Sequence, residues 1–146
     1  MAYVKLDVNA VKKFCADVFE KRGFSKEESD DIVDVLSTAD LYGIESHGVQ
    51  RLIRYHKAID EGSIIPGVEP TLIHKTPISA VFDAPKSMGQ VMGKMGMNMA
   101  IDMAKEHGIG AVVVRGSNHY GIAGYYTKMA ADNDMLGICM TNTEAI

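Results

Sequence analysis

A strand–helix–strand pattern near the end of the chain restricts the fold more than any other feature. An apolar run over 110–115 is followed by a helix-length stretch over about 122–133 and by a second apolar run over 136–141. The first run has the composition of a strand that is covered on both faces. Two strands joined by one helix favour parallel pairing with a right-handed crossover. The sequence therefore predicts an α/β fold.

The first third of the chain predicts three helices. The first begins at a cap residue, Asp7 or Asn9, and ends at Arg22, where apolar residues at helical spacing give way to a glycine. The second begins at an S-x-x-E capping box formed by Ser25 and Glu28. A third helix follows a short turn that contains a glycine. We therefore expect a helical region at the start of the chain.

The middle of the chain predicts two short strands over 71–83, interrupted by Pro77, and then a long helix over about 88–107. Methionines follow one flank of this helix, while glycines and alanines follow the adjoining flank. Each helical glycine costs about 1 kcal/mol of propensity, so the stripe predicts another backbone packed closely against it. A copper-binding methionine motif is the alternative to core packing. We expect a helical region over 1–66 and the start of an α/β domain over 67–146.

Composition limits the classes of partner. The chain has 15 Lys plus Arg against 19 Asp plus Glu, a net charge of -4, and no basic run of the kind that supplies nucleic-acid affinity. Its apolar runs fall far below the ~20 residues of a membrane span, and its first residues lack the apolar segment of a secretory leader. Cys15 and Cys139 form no CxxC pattern, which fits reduced thiols. We expect a cytoplasmic globular protein without a nucleic-acid or membrane partner.

Two of the five histidines, His47 and His119, lie in turns. His47 follows Ser46 between two predicted helices, and Arg51 and Tyr55 come four and eight positions later on one face of the next helix. A guanidinium offers a planar fork to a carboxylate, and an imidazole exchanges a proton near neutral pH. The pattern indicates recognition of an organic acid beside a reacting oxygen. A helix cap with an arginine in a surface ion pair is the alternative.

His119 lies in the loop between the first apolar run and the next helix. In open α/β sheets, ligands collect at this edge, and the amides of Gly121, Ile122 and Ala123 are placed to hold an anionic group. The alternative is a histidine that hydrogen-bonds its own loop. A metal site shared by His47 and His119 lacks a carboxylate at a recognisable ligand spacing, so no metal is predicted.

Familiar catalytic motifs are absent from the sequence. Gly108-Ile109-Gly110 lacks the third glycine of a dinucleotide fingerprint and enters a strand where the fingerprint leaves one. The chain has no GxxxxGK[ST], HExxH or GxSxG. Ser46 beside His47 does not indicate a hydrolytic dyad, because adjacent residues at a helix start usually point apart.

A set of short motifs resembles the malate/L-lactate dehydrogenase family. In chain order these are Ala39-Asp40, Gly43-Ile44, Ser46-His47-Gly48-Val49, Arg51, Tyr55, Gly62, Gly89-Gln90, Gly108-Ile109-Gly110, Ser117-Asn118-His119-Tyr120-Gly121, Gly124-Tyr125 and Thr141-Asn142-Thr143. The ordered pair of SHG and SNHYG is the most specific part. The resemblance implies a sulfolactate-dehydrogenase-like, non-Rossmann fold with a mixed sheet and flanking helices, of which this chain holds an incomplete part.

The resemblance also implies hydride transfer between NAD or NADP and a small 2-oxo or 2-hydroxy acid such as malate or lactate, in a homodimer. The matching positions are His47 and His119 for proton transfer, Ser46, Arg51 and Tyr55 for substrate binding, and Asn142 and Thr143 for the cofactor. The sequence leaves open which acid reacts, whether the cofactor is NAD or NADP, and which histidine moves the proton.

Members of this family are considerably longer than 146 residues. A truncated, non-catalytic assembly or binding module that needs a second polypeptide is therefore the alternative function, since truncation would leave a sheet edge exposed. A metal-dependent lyase is a third, weaker hypothesis.

Overall fold

The computed structural model describes residues 5–142, which form an α/β structure with helices on one side of a small mixed sheet. Its elements, in chain order, are α1 (Val8–Lys21), α2 (Lys26–Leu41), α3 (Leu52–Asp60), β1 (Thr71–Lys75), β2 (Ser79–Asp83), α4 (Gly89–His107), β3 (Ala111–Arg115) and α5 (Ala123–Ala131). Two short 3-10 turns, Glu45–His47 and Val49–Arg51, lead into α3. The predicted α/β class with a mixed sheet and flanking helices is confirmed.

The first two helices begin where the sequence predicts. The Asp7 carboxylate accepts the amide of Ala10 at 2.8 Å and caps α1. At the start of α2, Ser25 and Glu28 form both bonds of the capping box. These caps pair amides that have no partner inside the helix, so they fix where each helix begins.

Helices α1, α2 and α3 enclose one hydrophobic core. Its buried residues are Cys15, Phe19, Phe24, Ile32, Val33, Leu36, Tyr55, Ile64 and Met88. Tyr55 of α3 is 1% exposed, and the centroid of its ring lies 6.4 Å from that of Phe19. Burial of a side chain such as that of Phe19 contributes roughly 1.5–3 kcal/mol, so this core holds Tyr55 in one place.

The sheet has the order β1-β2-β3. Strands β1 and β2, which were predicted on either side of Pro77, form an antiparallel pair, and β2 pairs in parallel with β3 through the crossover helix α4. A strand–helix–strand unit is therefore present, but it lies one helix earlier in the chain than the sequence predicts.

The predicted strand over 136–141 is wrong. This segment is irregular, and its apolar side chains are exposed: Leu136 by 100%, Ile138 by 79% and Met140 by 86%. A strand forms when its amides and carbonyls pair with a neighbour, and within residues 5–142 this segment has no strand beside it. The composition of a segment does not show whether a neighbouring strand is present to pair with it.

The expectation that β3 is covered on both faces is also wrong. Val112 and Val114 pack against α4, while Val113 on the opposite face is 57% exposed. The part of the chain that the structure describes places a helix on only one side of this strand. Met95, Met99 and Met103 of α4 pack in the core beneath the sheet.

The glycine stripe of α4 meets another backbone at one position. A Cβ on Gly89 would overlap the carbonyls of Asn118 and His119, whereas Gly93 and Gly96 face side chains. The predicted close approach therefore occurs at the first residue of the helix. Within the described range, no helix is both long and apolar enough to cross a membrane.

Candidate active site

The turn that carries His47 is fixed to the end of α2. Asp40 accepts the backbone N–H of Val49 at 2.9 Å, and this carboxylate lies so close to Gly48 that a Cβ there would overlap it. Ser46 precedes the histidine, and its Oγ lies 2.9 Å from Nδ1 of His47. The two adjacent side chains thus contact each other, contrary to the expectation that they point apart.

The loop that carries His119 is fixed by α4 and by Asn118. The side-chain amide of Asn118 donates to the carbonyls of Ser63 at 2.9 Å and of Ser87 at 3.1 Å. Gly89 lies against the backbone of the same loop. The loop is therefore held by the side-chain hydrogen bonds of Asn118 and by close packing against Gly89.

These two anchored segments bring His47 and His119 together. The centroids of their rings lie 5.2 Å apart, with an angle of 32° between the ring planes, and both side chains are half-buried. Two imidazoles at this distance can reach the same small ligand. No group of three or more metal-ligating His, Cys, Asp or Glu side chains lies in the range 5–142.

Tyr55 lies directly behind His119. Its hydroxyl oxygen lies 2.7 Å from Nδ1 of His119, and Nε2 of Gln90 donates to the same oxygen at 2.7 Å. Tyr55 and Gln90 are 1% and 0% exposed. Sequence reasoning gave Gln90 no role, and its place beside Gly89 in a matching motif was the only signal.

Burial and nearby positive charge keep the imidazole of His119 neutral. The pKa of His119 is lowered from 6.5 to about 4, first by burial and then by the charge of Arg51. His47 and Arg54 lower it in the same direction. Burial also raises the pKa of Tyr55 to about 12. Near neutral pH both His119 and Tyr55 are therefore uncharged.

Two guanidiniums lie near these rings. Nε of Arg51 donates to the carbonyl of Ser46 at 2.6 Å, which leaves the two terminal nitrogens for another partner. Arg54 lies in α3, just after the 3-10 turn that holds Arg51, and lines a cleft of about 700 Å³ between α3 and the loop after β3, together with Tyr55 and His119. Sequence reasoning missed Arg54, although it lies only one helical turn beyond Arg51.

The cleft does not include every predicted site residue. Ser46, His47 and Arg51 are absent from its lining. Instead, Ser46 is exposed, and His47 and Arg51 are half-buried beside the cleft's His119. His47 and Arg51 therefore lie near His119 but outside the lining of the cleft, whereas Tyr55 and His119 belong to it.

At the predicted anion site after β3, one of the three amides is already bonded to His119. The amide of Gly121 donates to Nδ1 of His119 at 3.3 Å, so this histidine does hydrogen-bond its own loop. Among residues 5–142, no side chain caps helix α5, which starts after Ile122, and no atom lies within 4 Å of a Cβ placed on Gly124. The open first turn of α5 is thus the part of the predicted site that stays available.

Of the two predicted cofactor residues, Asn142 is exposed in the irregular segment after α5, and Thr143 lies outside the described residues. The thiol of Cys139 donates to the hydroxyl of Tyr120 at 3.5 Å. This contact places the segment beside the loop that holds His119.

The chain is similar in sequence and structure to known dehydrogenases. The sequence profile of the malate/L-lactate dehydrogenase family matches residues 6–146. The malate dehydrogenase of Pyrococcus horikoshii is 42% identical over 144 residues, which cover 99% of this chain and 40% of that protein. A solved structure of the Pyrococcus horikoshii malate dehydrogenase matches with a TM-score of 0.88, over 90% of this chain and 38% of that chain.

The sulfolactate dehydrogenase of Methanocaldococcus jannaschii has the same fold, with a TM-score of 0.86 at 40% identity over 88% of this chain and 38% of that chain. The predicted sulfolactate-dehydrogenase-like fold is thereby confirmed. The chain spans about 40% of the length of the curated relative it matches. It belongs to the malate/L-lactate dehydrogenase family.

Proposed function

We propose that the chain supplies the substrate-binding and proton-transfer groups of an NAD(P)-dependent oxidoreductase that acts on a small 2-hydroxy or 2-oxo acid. The observation that carries the proposal is the pair of imidazoles, 5.2 Å apart, next to a guanidinium whose terminal nitrogens have no hydrogen-bond partner among residues 5–142. An acid of this class needs one group for its carboxylate and another for its C2 oxygen.

Arg51 is proposed to bind the substrate carboxylate. Its Nε is held by the carbonyl of Ser46, so the planar group is oriented before a ligand arrives. A guanidinium held in this way loses less freedom on binding than a flexible ammonium does. Ser46, on the same turn, and Tyr55 are the further substrate-side residues.

His47 and His119 are proposed to handle the C2 oxygen. During reduction this oxygen gains a proton as the carbon gains a hydride, and during oxidation the oxygen loses that proton. The two rings are close enough for both to touch one oxygen atom. Half-burial excludes much of the water that would compete for this contact.

A nicotinamide cofactor fits two features of the described residues. Asn142 presents an exposed amide, and the uncapped first turn of α5 has room beside Gly124 for an anionic group. These groups, with Thr143, would hold the cofactor, which supplies or accepts the hydride when bound. The choice between NAD and NADP, the homodimer and the cytoplasmic location stay predictions.

Oxidation of NADH or NADPH with a panel of 2-oxo acids tests the proposal. We expect turnover with the full-length protein and large losses in its His47→Ala, His119→Ala and Arg51→Ala variants, whereas activity of the 146 residues alone is not part of the expectation. His56→Ala is the matched control, because His56 lies on the exposed side of α3. Equal turnover in the three site variants and the control would contradict the proposal.

A non-catalytic assembly module is the second candidate function. It is favoured by the exposed apolar side chains of Leu136, Ile138 and Met140, which suit burial against another surface. Copurification followed by light scattering separates the two functions. A lone monomer that turns over 2-oxo acids would contradict the module.

A further inference from the structure

Two groups approach the same nitrogen of His119. The amide N–H of Gly121 lies 3.3 Å from Nδ1, and the hydroxyl oxygen of Tyr55 lies 2.7 Å from it. A backbone amide only donates, so its contact requires a lone pair on Nδ1. The Tyr55 hydroxyl, which can donate or accept, must then donate to that lone pair.

Gln90 completes this chain of hydrogen bonds. Its Nε2 donates to the Tyr55 oxygen at 2.7 Å, which occupies a lone pair of the phenol and leaves the phenolic hydrogen for His119. Gln90 and Tyr55 are 0% and 1% exposed, so water does not compete for these contacts. The donors run in one direction, from Gln90 to Tyr55 to His119.

The opposite direction brings two hydrogens together. If Gln90 turned its carbonyl oxygen to the phenol, Tyr55 would donate to Gln90 and Nδ1 of His119 would have to carry a hydrogen. That hydrogen would face the amide N–H of Gly121. Gly121, with a φ of 86°, packs closely against Val35, and this packing fixes the position of its amide.

We propose that Gln90 and Tyr55 are positioning residues that hold His119 as the Nε2–H tautomer, so that its ring presents a hydrogen-bond donor to a ligand oxygen. In the described structure Nε2 has no protein partner, while Nδ1 has two. The tautomer follows from the contacts alone. Its role toward the C2 oxygen of a 2-oxo acid rests on the proposed function.

This assignment distinguishes the two histidines. A neutral imidazole with hydrogen on Nε2 stabilises negative charge on a substrate oxygen but has no lone pair at that atom to accept a proton. His47, whose Nδ1 lies beside Ser46 Oγ, is not subject to the same chain of donors. His119 is thus a donor to the oxygen, and His47 is left as the group that exchanges a proton with it.

Nitrogen NMR of the full protein labelled with ¹⁵N-histidine tests the tautomer without turnover. The expected spectrum at neutral pH shows a protonated Nε2 and an unprotonated Nδ1 for His119, assigned by the loss of these signals in His119→Gln. A protonated Nδ1 would overturn the proposal.

Two variants test the positioning residues. Tyr55→Phe and Gln90→Met keep the size of the buried side chains and remove one donor each, so we expect the His119 signals to move toward a mixture of tautomers. Tyr125→Phe is the control, because this hydroxyl donates to Asp34 and not to His119. Signals that stay at the unaltered positions in both site variants would overturn the roles of Tyr55 and Gln90.

The readings separate this inference from the proposed function. In an active protein, Gln90→Met is expected to lower kcat with little change in KM, since Gln90 does not touch the substrate. Inactivity toward every 2-oxo acid with His119 still in the Nε2–H form would contradict only the proposed function. Turnover with a protonated Nδ1 would contradict only the tautomer.

Discussion

Gly89 at the start of α4 lies directly against the backbone carbonyl of His119, with no room between them for a methyl group. Overpacking of this kind costs about 1–3 kcal/mol of stability, and the atoms that must move here belong to the backbone of the histidine loop. Gly89→Ala is therefore expected to lower both the midpoint of urea unfolding and turnover.

Gly124→Ala is the matched control for the change in stability only, because Gly124 lies in the proposed cofactor site. Gly124 lies in the first turn of α5, and a Cβ there meets nothing within 4 Å. Replacing an unconstrained helical glycine by alanine is expected to stabilise by about 0.5–1 kcal/mol. An unchanged midpoint in Gly89→Ala would show that the loop moves aside freely.

The local elements could be predicted because their signals are local. Asp7 and the pair of Ser25 and Glu28 lie within four residues of the amides they cap, so the starts of the two helices could be predicted from the sequence. The apolar run over 136–141 has a strand-like composition, but strand formation depends on a neighbour that sequence pattern does not supply.

The same limit applies to the site. His47 and His119 were recognisable from their turns, whereas Gln90 is a polar residue at a helix start, where a solvent-exposed side chain is just as common. Its function as a donor to Tyr55 arises only after α3 and α4 pack together. Arg54 was missed because it belongs to none of the motifs from which the site residues were predicted.

Arg51 and Arg54 are expected to contribute differently to substrate binding. Arg51→Lys removes a planar, pre-oriented fork, and losing one charge-assisted hydrogen bond of about 1.5–3 kcal/mol corresponds to a roughly 10- to 100-fold rise in KM for a 2-oxo acid. Arg54→Lys keeps the charge on an exposed side chain and is expected to change KM by less. If Arg54→Lys raised KM more than Arg51→Lys does, the substrate carboxylate would bind in the cleft of about 700 Å³ that Arg54 lines.

The free energy of unfolding is expected to decrease as the pH is lowered, because His119 gains a proton. The pKa of its imidazole is about 4 in the folded state against an ordinary value of 6.5, so the unfolded chain binds more protons between these values. Its contribution is complete above pH 6.5 and is lost as the pH falls toward 4. Urea midpoints from pH 7 to pH 4 should drop less steeply in His119→Gln than in the unaltered protein.

His56→Gln serves as the control in that series, because His56 is exposed on α3. A profile for His119→Gln parallel to that of the unaltered protein would indicate that the folded and unfolded imidazoles of His119 titrate alike.

Asp40 is expected to support the site through the turn that carries His47. Its carboxylate accepts the amide of Val49, and loss of such a cap typically costs about 1 kcal/mol. Asp7→Ala removes a comparable cap from α1, which contributes no residue to the candidate site. Both variants should lose similar stability in urea unfolding, but only Asp40→Ala should lose turnover, because only its turn holds a residue proposed for proton transfer, His47. Equal turnover in the two variants would mean that His47 keeps its position without the cap.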